Sequence, residues 1–293
     1  MARQRLVVFT KLFWPEGGGA DLATYLIVKD ILSKHFNVIV VSSTEKPKTN
    51  VLRCCKYIYW SLLRSKYKPF VWLKLFVNTR IIRKLVEQAD IIYIPSHTLL
   101  PLAIVAKIVK PSIKVIVHLH NYQPLTYTSV VLAYKEPNLA TDIIVERNEH
   151  DSISRAVLVG VGHYINILSR LALYHADKAI CVSRRQLEIL AKHIPVLRDK
   201  AIAIYNPPPP VPNTEKMPGK EPIVLYIGGG SFVKGFNIVL EALTKAILRH
   251  SCKAYIIGPN IAPKQRLLVE KLALKLDSKL IIMGRISYEE LLR

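Results

Sequence analysis

The sequence predicts an α/β protein built from doubly wound parallel sheets in two domains, and three observations predict it. Short apolar runs of strand length recur between longer segments of helical composition. Those runs are continuous rather than alternating, as expected of strands in a parallel sheet covered by helices on both faces. A proline-rich break at 206–221 divides the series in two.

The strand candidates before the break are LVVFT (6–10), NVIVVSS (37–43), DIIYIP (90–95), KVIVHLH (114–120), KAICVS (178–183) and AIAIYN (201–206). After it come PIVLYIG (222–228), KAYIIG (253–258) and KLIIMG (279–284). Helical segments are predicted at Ala20–Ser33, Leu99–Val109, Arg184–His193, Phe236–Arg249 and Lys264–Leu276. Alternation of the two types implies right-handed crossovers. In such sheets ligands bind beyond the carboxyl ends of the strands.

The break from Asn206 to Pro222 carries seven prolines. Proline fixes φ and removes a hydrogen-bond donor, so the segment reads as an extended, semi-rigid linker. The expected domains are therefore 1–205 and 222–293, joined by 206–221.

Residues 51–88 interrupt the regular pattern with aromatic and basic side chains. Arg53, Lys56, Trp60 and Arg64 share one face if the segment is helical, and Lys74, Arg80, Arg83 and Lys84 continue the basic character. Basic amphipathic helices with Trp and Tyr at the boundary suit an anionic membrane surface. The alternative is a pair of core helices with solvated basic edges.

The formal net charge is +21, from 42 Lys and Arg against 21 Asp and Glu. Such a balance implies an anionic partner: nucleic acid, an acidic membrane surface or a phosphorylated substrate. No zinc-finger spacing or RNP aromatic pattern supports nucleic acid, so none is expected. The four cysteines form no CxxC, which argues against structural zinc, and a cysteine-poor chain of 293 residues fits a reducing cytosol. The apolar run after the amino terminus is too short for a signal peptide, and AVLVGVGHYINILS (156–169) is too short to span a bilayer. The expected location is the cytoplasm, peripheral to the inner face of the cell membrane.

Three constellations carry candidate chemistry. Gly17-Gly18-Gly19 lies between the first strand and the first helix, where glycines let a backbone approach a phosphate at a helix amino terminus. The spacing is not that of a dinucleotide fingerprint or a P-loop, and a tight turn is the competing reading. His118 and His120 lie on one face of KVIVHLH, with His120 nearer the carboxyl end and His118 reading as a buried, satisfied histidine. No partner with metal-ligand spacing follows, so no metal is expected. Gly228-Gly229-Gly230 with Lys234-Gly235 repeats the strand, glycine loop and helix in the second domain. Lys234 at a helix start conflicts mildly with the macrodipole, which favours an anion partner.

In order along the chain, these pieces resemble the family 4 retaining glycosyltransferases of GT-B fold. Phe13-Trp14-Pro15 with Gly18-Gly19-Ala20-Asp21 resembles that family's proline and double-glycine loop. Asp90-Ile91-Ile92-Tyr93 with Pro101-Leu102-Ala103, the histidine loop Val117–Tyr122, and Ala176-Asp177-Lys178-Ala179-Ile180-Cys181-Val182-Ser183 follow. Ala203–Pro207, Tyr226-Ile227-Gly228 to Lys234-Gly235, Ile256–Pro259 and Ile282–Arg285 complete the series.

The resemblance implies two Rossmann-like domains, an acceptor-side one first and a donor-side one second. It implies that Gly18 and Gly19 approach the donor diphosphate and that His120 contacts the transferred sugar. Lys234 neutralises the departing diphosphate, while Gly228, Gly229, Gly258, Gly284 and Arg285 border the donor. The donor is a UDP- or GDP-linked sugar and a substrate, with no cofactor or bound metal. Transfer retains the anomeric configuration, and the basic stretch fits a lipid-linked or glycan acceptor at a membrane. Two departures stand out. Gly229 occupies the position of the family's usual arginine, and the family's paired glutamates would lie beyond Arg293, so the donor-side domain is expected to be incomplete. The alternative function is an inactive fragment or a non-catalytic acceptor- or membrane-binding subunit needing a partner chain.

Overall fold

The structure, a computed structural model, describes residues 3–47, 53–65, 68–150, 153–211, 221–250, 252–258, 263–276, 279–284 and 286–291. The chain forms two compact units, one of residues 1–143 and 156–209 and the other of 144–155 and 210–293. Most of the predicted linker, 212–220, lies outside the described residues.

The first unit is built on β1 (Arg5–Phe9), β2 (Asn37–Ser42), β3 (Lys56–Tyr59), β4 (Ile91–Ile94), β5 (Lys114–Leu119), β6 (Lys178–Cys181) and β7 (Ala201–Ala203). They form one sheet in the order β3-β2-β1-β4-β5-β6-β7. Every neighbouring pair is parallel. The order reverses at β1, the topological switch point at which open α/β sheets form a ligand crevice.

Both faces of the sheet are covered, which explains the continuous apolar runs. Leu6 and Val8 of β1 pack with Tyr25 and Leu26 of α1 (Gly19–Ile27), which continues through a π turn at Val28–Leu32 to His35. Val7 and Phe9 point to the opposite face, as strand alternation requires. That face is covered by α2 (Lys68–Val77), α3 (Thr79–Glu87) and α4 (Leu102–Val109). After α5 (Leu139–His150) and α6 (Ile153–Gly162), α7 (Tyr164–His175) covers it too, and α8 (Arg184–His193) and α9 (Leu197–Lys200) complete the layer. Two carboxylates hold strand starts in place. Asp90 accepts a hydrogen bond from the Arg5 backbone N–H at 2.7 Å, and Asp177 accepts one from Val115 at 2.7 Å while pairing with Lys107 at 2.8 Å.

The second unit carries β8 (Ile223–Ile227), β9 (Lys253–Ile257) and β10 (Leu280–Met283), parallel and in the order β10-β9-β8. Between them run α10 (Phe236–His250) and α11 (Pro263–Lys275), and α12 (Tyr288–Leu291) follows. Phe236, Leu240, Leu243 and Ile247 of α10 pack with Val269 of α11 against Ala254, Ile256 and Leu280 of the sheet. On β8, Ile223, Leu225 and Ile227 are exposed.

All nine predicted strands are present, and β3 is an addition that corrects the reading of residues 51–64. Arg53, Lys56, Trp60 and Arg64 do not form one helical face, because Lys56–Tyr59 pairs with Ile39–Ser42 as the edge strand. The Trp60 backbone N–H extends that ladder to Ser42 O at 2.7 Å, which directs its ring into the core, where only 8% of the residue is exposed. Trp60 is therefore a packing residue rather than a membrane contact. Arg53 and Lys56 are exposed, and Arg64 pairs with Glu16 at 3.5 Å.

Trp72 ties α2 to the sheet. Its ring is buried, and its Nε1 donates to Thr98 O at 2.9 Å just beyond β4. Trp72→Ala is expected to cost about 3–5 kcal/mol, the usual range for emptying a buried aromatic site. Urea denaturation checks this, and a loss below about 1 kcal/mol would mean that α2 does not anchor the first unit.

Candidate functional site

Each unit carries its candidate residues at the carboxyl ends of its strands. In the first unit, residues following β1, β4 and β5 converge with the start of α1. Lys11, Leu12, Ala20, Asp21, Thr24, Lys68, Pro95, Ser96, His97, Thr98 and His120 line a cavity of about 320 Å³. This is the crevice that the reversal of strand order at β1 predicts.

The glycine loop leads into the crevice-lining Ala20 and Asp21, through geometry only part of which needs glycine. Gly17 has φ +93°, and a Cβ there would collide with Asp21. The Asp21 carboxylate accepts from the Gly18 N–H at 2.8 Å, capping the first turn of α1. Above Gly18 and Gly19 the space is open, so no packing requirement accounts for these two glycines. They leave the positive end of α1 accessible.

The histidines are held neutral by burial. Tyr93 Oη lies 2.6 Å from His118 Nδ1, and both rings are buried. The Nε2 atoms of His118 and His120 are buried without a hydrogen-bond partner among the described residues. The reading of His118 as buried holds, although only one of its nitrogens is satisfied. Burial and then His120 lower His118 to about 3. Burial lowers His120 to about 4. Burial, reinforced by Lys68, Lys11 and His120, lowers His97 to about 3. Burial also raises Tyr93 and lowers Lys11, the latter opposed by the nearby Asp21 charge.

In the second unit, Gly228, Gly258 and Gly284 stand at the ends of β8, β9 and β10. Gly258 is there for close approach, since a Cβ would lie 1.7 Å from Gly228 O. Gly258 and Gly284 line a cavity of about 470 Å³ with Arg266, Glu270, Ile282 and Met283. Gly229 O accepts from Tyr226 Oη at 3.1 Å. Lys234 closes a 3-10 turn capped by Ser231, before Gly235 with φ +69° and the start of α10 at Phe236. Its side chain is exposed. Arg285 lies outside the described residues.

Residues 17–208 match the family described as Glycosyltransferase Family 4. The chain belongs to glycosyltransferase family 4. It is accordingly a transferase enzyme by family, with two Rossmann-like sheets of the GT-B class. No curated protein matches it. Among solved structures it is similar to Anabaena HepE in complex with UDP-glucose, at 12% identity and TM-score 0.60, covering 97% of this chain and 70% of that one. A glycosyltransferase from Rickettsia africae is 18% identical at TM-score 0.60, covering 97% and 69%. The catalytic domain of starch synthase IV from Arabidopsis thaliana, bound to ADP and acarbose, is 12% identical at TM-score 0.63, covering 99% and 76%. At these identities the likeness concerns the fold.

Sequence reasoning selected His120 and the glycine loops of this family 4 chain but not Lys11, Lys68 or His97. Lys11 and His97 each follow a strand closely, a position that marks crevice residues once the strand order is known.

The histidines set an acid limit on stability. Their folded values lie below the unfolded value of about 6.5, so the unfolded chain binds protons first as pH falls. Their contribution is complete at neutral pH and is lost below about 6.5, by up to about 1.4 kcal/mol per pH unit for each deeply buried ring. Thermal melting at pH 7 and pH 5 should show a lower midpoint at pH 5, and His97→Asn should reduce that difference. An equal drop in protein and variant would contradict this assignment.

Proposed function

We propose that this family 4 chain transfers a sugar from a nucleotide-sugar donor to a lipid-linked or glycan acceptor, with retention of configuration, at the inner face of a membrane. The observation that carries the reading is the family match together with two strand-end sites of suitable chemistry. UDP-glucose in HepE and ADP in starch synthase IV support a nucleotide-linked donor.

In this reading the donor lies on the second unit, bordered by Gly228, Gly229, Gly258, Gly284 and Arg285. Lys234 supplies positive charge for the diphosphate as it departs, the electrostatic contribution expected to dominate such a transfer. On the first unit, the open amino end of α1 at Gly18 and Gly19 offers backbone donors and its dipole to an anion. His120 offers a neutral ring to the sugar. The donor is a substrate, and the reading assigns no role to a resident metal or cofactor.

Isothermal titration with UDP-glucose and GDP-glucose tests the donor assignment. One of the two should bind, and Lys234→Ala should weaken it about ten- to hundredfold, as loss of one charge-assisted contact implies. Unchanged affinity in the variant would remove Lys234 from the site.

The membrane part of the reading now centres on α2 and α3 rather than on residues 53–64. Phe70, Leu73 and Val77 of α2 and Ile81 of α3 are exposed, Leu73 by 60% and Val77 by 72%. Lys74, Arg80, Arg83 and Lys84 lie among them against a single carboxylate, Glu87. In the same helical layer, α7 exposes Tyr164, Ile167, Leu171 and Tyr174, all on one face by their spacing. Among the described residues no helix is long and apolar enough to cross a membrane. Apolar side chains interleaved with cations suit shallow burial in an anionic surface. Flotation with vesicles containing phosphatidylglycerol should recover the protein at low salt, less at high salt, and little of a Leu73→Asp/Val77→Asp variant. Equal recovery of the variant would place membrane contact elsewhere.

A further inference from the structure

The crevice of the first unit contains nitrogen donors that the protein itself leaves unused. The Lys11 ammonium makes no hydrogen bond or ion pair among the described residues, and its electrostatic neighbour is Asp21. The Asp21 carboxylate is in turn engaged by the Gly18 N–H. The His97 ring makes no hydrogen bond among the described residues. A second ammonium, that of Lys68, reaches the same cavity while donating to Tyr127 O at 2.8 Å and Ser129 Oγ at 3.1 Å. The cavity at residues 131–137 and 185–193 differs, because most of its charged lining is paired internally, Glu136 with Lys192 and His193 and Glu188 with Arg185.

Leaving partly buried donors unpaired costs free energy. A ligand that accepts from them removes that cost. Two lysines against one carboxylate select an anion, and the amino end of α1 adds to the positive potential. The donors come from three places: beyond β1, beyond β4 and the start of α2. Donors converging from several directions suit a tetrahedral anion with three or more acceptor oxygens. A planar carboxylate is better matched by the fork of an arginine, and among the described residues no arginine lines this cavity. The volume of about 320 Å³ is at the lower end of the range of roughly 300–1,000 Å³ for ligand pockets.

We propose that this crevice is a phosphoryl-binding subsite in which Lys11, Lys68 and His97 hold the phosphate group of the acceptor. The word acceptor rests on the transferase reading above. Phosphoryl binding itself rests on the crevice alone. The same chemistry serves a lipid phosphate ester and free phosphate, and the experiment separates them.

The test uses the full chain, with inorganic phosphate and octyl phosphate as probes, followed by isothermal titration and by NMR of the histidine rings. Both probes should bind, and Lys11→Met should weaken each tenfold or more. Lys11→Arg should restore most of the affinity. The His97 ring resonances should shift on binding. Tighter binding of octyl phosphate than of phosphate identifies a lipid ester as the source, and equal binding identifies a soluble phosphate. If the folded chain binds neither probe, or if Lys11→Met leaves binding intact, the subsite is overturned. Loss of UDP-glucose and GDP-glucose binding alone would overturn the donor assignment and leave this subsite standing.

Discussion

The two-sided pairing of β1 is the constraint on which the first unit depends. Its backbone is paired with β2 on one side and β4 on the other, and its side chains from Leu6 to Phe9 are buried on both faces. No polar group can be placed along such a strand without losing its partner. Polar chemistry is therefore pushed to the strand's carboxyl end. There the connections diverge, one through α1 and the others beyond β4 and β5. Lys11, Asp21, His97 and His120 meet at that point because the strand order reverses there.

The same constraint shapes the electrostatics. Burial in and beside the crevice keeps His97, His118 and His120 uncharged at neutral pH, and among the described residues Lys11 is left without an ion-pair partner. Burial of this kind is costly for the protein alone and favours an occupied state. In the second unit the requirement is steric. Gly258 admits no side chain because the Gly228 carbonyl occupies the space, so two strand-end loops come together as bare backbone.

Much of the fold was legible in the sequence, because parallel strands covered on both faces become continuous apolar runs and nine of them stand out. The edge strand β3 did not, since KYIY is four residues long and sits among cations whose spacing also suits a helix. Trp60 was misread for the same reason: a tryptophan beside basic residues looks interfacial until the ladder bond from its N–H turns it inward. Within the site, His120 and the glycines were legible from their place at the ends of apolar runs. Lys11 and His97 were not, because nothing local distinguishes a lysine or histidine after a strand. Their convergence exists only in the strand order, which local periodicity does not encode.

The central claim is that ligands of this family 4 chain bind where its parallel strands end. Backbone amide chemical-shift mapping during titration with UDP-glucose, or with GDP-glucose if that is the donor bound, tests it most directly. The account predicts shifts at Gly228, Gly258 and Gly284 in the second unit, with Arg3, Arg5 and Lys56 at the amino ends of the first sheet unmoved. Shifts concentrated at those amino ends, with the strand-end glycines silent, would contradict it.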